Sequence, residues 1–217
     1  MDGHHPALEE YTEAIFELRE DDVEVIQARI ADRLEVSRPA VSEMIRRLER
    51  DGIVTTADGT IDLTEAGEKI AQRTVRRHRL AECFLTDILG LNWAEAHLEA
   101  GKWEHVISDN VETAMTRVLG APTTCPHGNP IPGSSYEAPI TSELAELAVG
   151  NAFVISRIPE ELEFTDGLLE YLEASGLTPG NEGVVTAMSP DGTTTVEIAG
   201  TSVGIGKFAS QRILVTT

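Results

Sequence analysis

Apolar residues in the first part of the chain recur at helical spacing. Leu8, Tyr11, Ile15 and Leu18 mark an amphipathic helix over roughly residues 7–19. Ile26, Ile30 and Leu34 follow at intervals of four in "VIQARIADRLEV" and mark a second. In "SRPAVSEMIRRLERDG", Val41, Ile45 and Leu48 share one face, while Arg38, Ser42, Glu43, Arg46 and Arg47 point elsewhere. Ser37 is a favourable N-cap there, Pro39 is tolerated in the first turn, and Asp51-Gly52 closes the helix. The period then changes. In "GIVTTADGTIDLT" two short β-prone runs flank Asp58-Gly59, which predicts a hairpin.

Two helices joined by a short turn and followed by a hairpin predict a winged helix-turn-helix. Its second helix would lie in the major groove with its N-terminal residues at base edges, and the hairpin near the phosphates. A long helix runs from Thr64 to about Leu89. Its apolar face of Leu80, Phe84, Leu85 and Ile88 is too rich for a lone surface helix and points to a dimer contact. Further helices are expected over about 93–108, about 109–119 and near 165–175. Between them, the four prolines of "APTTCPHGNPIPGSS" break regular structure. From Gly180 onward, "GVVTAM", "TTTVEIAG", "TSVGIG" and "RILVTT" alternate with Gly-rich turns, a small β-barrel or sandwich. The fold class is therefore mainly α, with a β unit at the end.

The 217 residues carry a formal charge of −20, and only three of the 17 basic residues are lysines, Lys69, Lys102 and Lys207. Such a charge fits a salt-loving host, whose cytoplasm screens the self-repulsion, or a merely acidic protein of an ordinary cell. A rise in stability from low to molar KCl separates the two. Residues 25–80 nevertheless hold eleven basic against nine acidic residues, and Lys69, Arg73, Arg76, Arg77 and Arg79 occur without an intervening carboxylate. That bias predicts a polyanion partner for this part of the chain. No apolar run is long enough to span a membrane, the N-terminus has no secretion-signal pattern, and Cys83 and Cys125 make no disulfide framework. A cytoplasmic location is expected.

No HExxH motif and no Ser-His-Asp set is present, and "GTSVGIGKF" lacks the spacing and the Ser or Thr of a phosphate loop. The remaining polar constellation resembles a metal-binding set. "HRLAE" sets His78 and Glu82 at i, i+4, and "HLEAGKWEH" adds His97, Glu104 and His105. Glu10 and Glu13 are three apart, Cys125 and His127 two apart. Each pair alone fits a solvated or core feature better than a ligand set, and spacing does not show whether the fold gathers them. Gly101, between the two histidines of the second segment, is costly inside a helix.

The segments "ARIADRLEVSRPAVSEMIRRLERDGIV", "RRHRLAECFLTDILGL", "KWEHVISDNVE" and "CPHGNPIPG", in this order, resemble the diphtheria toxin repressor family of metal-dependent transcriptional repressors. The resemblance implies a winged-helix domain over 1–72, a helical dimerisation and metal-binding domain over 73–145, and an SH3-like domain over 146–217. It also implies a homodimer bound to double-stranded palindromic operator DNA, with two sites per subunit for Mn²⁺ or Fe²⁺, and neither enzymatic activity nor a small-molecule substrate.

Carried over by position, the primary site would use Glu10, Glu104 and His105. Iron-type members place methionine and cysteine at the positions of Glu10 and Gly101; manganese-type members place an acidic residue and often a glutamate. Gly101 therefore leaves a ligand position without a side chain, and Glu13 falls where some manganese-type members have another ligand. The ancillary site would use His78, Glu82 and His97. Cys125 and His127 match ligand positions of some relatives, and Glu163 or Asp166 could supply a carboxylate from the C-terminal domain. Oxygen and imidazole donors without a thiolate at the primary site suit Mn²⁺ or Fe²⁺, with Mn²⁺ preferred. Cys83 reads as a small core residue. The DNA-facing set is Arg29, Ser37, Arg38, Pro39, Ser42, Glu43, Arg46, Arg47 and Arg50. Two other readings stand beside the repressor: a winged-helix regulator with silent metal residues, and a metal-dependent hydrolase.

Overall fold

In the computed structural model, which describes residues 6–217, the chain begins with three helices, α1 (Pro6–Glu20), α2 (Gln27–Arg33) and α3 (Arg38–Arg50). Ser37 caps α3 by accepting a hydrogen bond from the Ala40 amide at 3.4 Å. Val41, Ile45 and Leu48 turn inward to share a core with Tyr11, Ile15, Leu18 and Ile30. The hairpin pairs β1 (Val54–Ala57) with β2 (Thr60–Leu63). Asp58 and Gly59 both adopt positive φ, +52° and +87°, the requirement of a two-residue turn that matches strand twist.

Thr64 then caps α4 (Glu65–Asp87), the longest helix among the described residues. The start of α4 lies so close to the hairpin that a Cβ on Gly67 would meet the Ile53 carbonyl oxygen at 2.2 Å. Asn92 and Glu95 form a reciprocal capping box on α5 (Trp93–Trp103), and Ser108 caps α6 (Asp109–Val118). α5 is shorter than the 93–108 expected, because the chain turns after Trp103.

From Ser142 onward the chain is mostly β. Strands β3 (Ser142–Glu143), β4 (Ala152–Arg157), β5 (Glu182–Met188), β6 (Thr194–Ile198), β7 (Thr201–Ile205) and β8 (Leu214–Thr216) form an antiparallel sheet in the order β3-β8-β4-β5-β6-β7. Short helices α7 (Glu160–Glu163), α8 (Leu168–Ala174) and α9 (Lys207–Ser210) punctuate it. "Mainly α" is thus too loose. The first part is helical apart from the wing, and the last is a sheet with its own core of Phe153, Ile155, Leu172, Val185, Val196 and Val215.

The parts meet at a buried arginine. Arg79 of α4 is 0% exposed and donates to Glu20 of α1 at 2.6 Å, to Glu160 of α7 at 3.0 Å and to the Pro130 carbonyl at 2.5 Å. Arg157 of β4 bridges to Asp21 at 2.5 Å and to Glu20 at 3.1 Å. The apolar face of α4 divides. Leu80 and Leu85 are absorbed into the core of this chain, while Ile88 and Leu89 are half exposed or more, as are Val106 and Val118 elsewhere in the helical layer.

Candidate metal centre

α1, α4 and α5 enclose a cleft of about 250 Å³ lined by Glu10, Glu13, His78, Gly101, Glu104 and His105, among others. His105 Nδ1 lies 2.8 Å from Glu9 Oε2, while its Nε2 faces Glu104 Oε1 at 3.2 Å and Glu10 Oε1 at 3.8 Å. A carboxylate behind one nitrogen fixes the ring and its tautomer, leaving the other as a ligand. Sequence spacing gave no reason to single out Glu9. Gly101 opens onto this cleft, and a Cβ there would meet nothing within 4 Å. The space a longer side chain would fill is present.

His78 joins this cleft to a second cluster. Its Nδ1 is 2.5 Å from Glu104 Oε2, and its Nε2 is 3.3 Å from both Glu82 Oε1 and His97 Nδ1. Ligand atoms of Glu13, His78 and Glu104 all lie within 4.8 Å of one another, and so do those of His78, Glu82 and His97. Cys125 and His127 come equally close to Glu82. Glu163 of α7 approaches His97 Nδ1 and His127 Nδ1, each at 3.0 Å. Asp166 does not join them. It sits exposed in the turn between α7 and α8, whereas Glu163 is buried against the two histidines. Glu160, which sequence reasoning missed, lies with His97 and Glu163 in a further triad.

The second cluster has donor atoms left over. Both His127 nitrogens, Glu82 Oε2 and Glu163 Oε2 are buried without a well-directed hydrogen bond, although charged partners lie as near as 3.0 Å. Unmade bonds cost about 1–3 kcal/mol each, and four on one donor set fit a divalent cation held between them. Protonation follows the same crowding. Burial alone would lower the His97 pKa, yet the Glu163 and Glu82 carboxylates beside its Nδ1 hold it up at about 10. His78 and His127 are likewise raised against their burial by neighbouring carboxylates, with Glu82 acting on both. Burial pushes Glu82 upward, but His127 and His78 outweigh it and hold the carboxyl well below its usual range. Burial also raises the thiols, Cys83 to about 12 and Cys125 further above its normal value. Cys83 donates instead to the Thr124 carbonyl at 3.4 Å, as a packed core residue would.

On and beside α2 and α3, Arg29, Ser37, Arg38, Pro39, Glu43, Arg46, Arg47 and Arg50 are exposed and Ser42 is half-buried. The basic run farther along behaves differently. Lys69 pairs with Glu65, Arg73 with Glu9, Arg76 and Arg77 with Glu112, and Arg79 with Glu20 and Glu160. That run therefore neutralises carboxylates within the chain, as Arg33 of α2 does with Glu17, whereas the exposed Arg29, Arg38, Arg46 and Arg50 make no ion pair among the described residues.

Known proteins resemble this chain in sequence and fold. The family described as "Iron dependent repressor, N-terminal DNA binding domain" matches residues 5–59, "Iron dependent repressor, metal binding and dimerisation domain" residues 64–133, and "FeoA domain" residues 143–217. Iron-dependent repressor IdeR of Mycobacterium tuberculosis is 40% identical over 205 residues, 88% of each chain. Diphtheria toxin repressor of Corynebacterium diphtheriae is 46% identical over 145 residues, 66% of this chain and 60% of that protein. Among solved structures, a manganese-dependent transcriptional repressor in complex with manganese superposes with a TM-score of 0.86 at 32% identity, covering 97% of this chain and 99% of that one.

Proposed function

This chain belongs to the diphtheria toxin repressor family of metal-dependent transcriptional repressors, and on that premise we propose that it senses Mn²⁺ or Fe²⁺ at two sites per subunit. It would bind a palindromic operator as a homodimer in the cytoplasm and control metal-uptake genes. It is a metal-sensing DNA-binding repressor rather than an enzyme. One observation carries the finer reading: the ligand set spans parts of the chain that must be held together for DNA to be read. Glu10 and Glu13 sit on α1, which shares its core with α3, whereas Glu104 and His105 follow α5. Glu163 sits on α7, beside the sheet.

A bound divalent cation would supply the positive charge that lets these carboxylates converge without repulsion. Glu10 and Glu13 would then hold α1, and with it α2 and α3, in one orientation, so ordering entropy is spent before DNA arrives. Glu9 keeps His105 Nε2 turned toward the cleft. The primary set would be Glu10, Glu13, Glu104 and His105, with the open position at Gly101. The ancillary set would be His78, Glu82, His97, Cys125, His127 and Glu163. The exposed Ile88, Leu89, Val106 and Val118 support a dimer face on the helical layer. The cleft donors are carboxylates and imidazoles, which favours Mn²⁺ or Fe²⁺ over softer ions.

Fluorescence anisotropy with an operator-like palindrome tests this at high KCl, titrated with Mn²⁺, with Fe²⁺ without oxygen, and with Zn²⁺. Affinity should rise at least about fivefold with the cognate metal, as coupling of about 1–3 kcal/mol implies. His105→Ala should abolish the response. Glu163→Gln should weaken metal sensing about 10- to 100-fold, as lost supporting ligands do, and Asp166→Asn should leave it intact. Affinity that ignores every metal would replace this reading with a regulator of another signal.

A further inference from the structure

Glu43 is the acidic residue that sits least comfortably on the DNA-reading helix. At about 100° per residue, the buried side chains Val41, Ile45 and Leu48 occupy one side of α3, and Glu43 falls directly opposite them. Its exposed neighbours on that outer face are Pro39, Arg46, Arg47 and Arg50. None of these arginines neutralises it. Arg46 donates to the Ser42 carbonyl of its own helix at 3.0 Å, and Arg47 turns to Asp51 at 3.8 Å. Glu43 itself makes no hydrogen bond or ion pair among the described residues. A bare carboxylate therefore stands at the middle of an otherwise basic face that approaches a polyanion.

We infer that Glu43 makes this repressor select cytosine at one position of each operator half-site, an inference that rests on the DNA-binding reading above. A carboxylate can only accept hydrogen bonds. On the major-groove edges, guanine offers O6 and N7 and thymine offers O4, all acceptors that repel it. Adenine places its N6 donor beside the N7 acceptor, so the second carboxylate oxygen is opposed there. Cytosine presents its N4 amine with no acceptor beside it on that base. Phosphates repel the group as well. Glu43 thus costs affinity over every base but one, and it selects by exclusion as much as by contact.

Selection of binding sites from a randomised duplex pool, with Mn²⁺ present, tests the assignment for wild type, Glu43→Gln and Glu43→Ala. Wild type should enrich cytosine about tenfold over other bases at one position per half-site. Glu43→Gln should shift that position toward adenine, whose N6 and N7 suit an amide, and Glu43→Ala should flatten it. Both variants should fold as the wild type does, since the side chain is exposed, so a changed base preference reads the carboxylate itself. Identical base preferences for all three proteins would overturn the assignment and leave the repressor reading standing. Failure of the wild type to enrich any sequence with metal would instead overturn both.

Discussion

His78 faces carboxylates on both sides, Glu104 through Nδ1 and Glu82 through Nε2, so without metal it serves as a proton-holding bridge between the two ligand groups. His97 and His127 each meet Glu82 and Glu163 through Nδ1, and all three imidazoles hold their protons above the ordinary pH range of histidine. An imidazolium cannot bind a cation, so each must release its proton when metal enters. For His97 that cost persists up to about pH 10, where the metal-free group finally loses its proton. Apparent metal affinity should therefore keep climbing from pH 6.5 toward 10, about tenfold per pH unit for each proton displaced. Calorimetry in buffers of different ionisation enthalpy should show at least one proton released per ion. Heats that do not depend on the buffer would contradict the bridge.

Two glycines show what the helices around the site require of the sequence. Gly67, in the first turn of α4, lies where any Cβ would strike the Ile53 carbonyl, a backbone atom that cannot step aside. Gly67→Ala should lower stability by about 1–3 kcal/mol, the range for overpacking, despite the better helix propensity of alanine. Gly101, near the end of α5, faces open space, and Gly101→Ala should stabilise the metal-free protein by about 0.5–1 kcal/mol. Chemical denaturation reads both, and equal shifts would refute the contrast. This scale also separates what sequence can reveal. α3 and the hairpin are legible in advance because Ser37, Asp58 and Gly59 set their boundaries through local hydrogen bonds and backbone angles. β4 and α7 are not, since "AFVISR" is too short for its periodicity to decide and "EELE" has no apolar face. The same limit hides Glu9, Glu160 and the choice of Glu163 over Asp166. In a chain with 37 acidic residues, spacing cannot single out the few carboxylates that the fold buries. The histidines, only six in number, stand out without help.

At the scale of the whole molecule, the wing-bearing part, the helical layer and the sheet are joined by charges taken out of water. Arg79 reaches α1, α7 and the segment at Pro130 together. Arg157 and Asp21 add a second clamp between the sheet and α1. A lone buried guanidinium is strongly unfavourable, so Arg79 is tolerable only when all its acceptors are in place. Arg79→Met removes the cation yet leaves Glu20 and Glu160 facing each other, and should cost about 3–5 kcal/mol. Scanning calorimetry should show one sharp endotherm for the wild type and broad or separate ones for this variant. A single transition in both would mean that the arginine plays no part in joining the three regions. The unbroken network should make melting an all-or-none event: loss of the sheet strips acceptors from α4, and loss of α4 releases α1. A repressor assembled this way has no half-melted form in which the DNA reader survives after the metal sensor has come apart, so heat or damage silences both together.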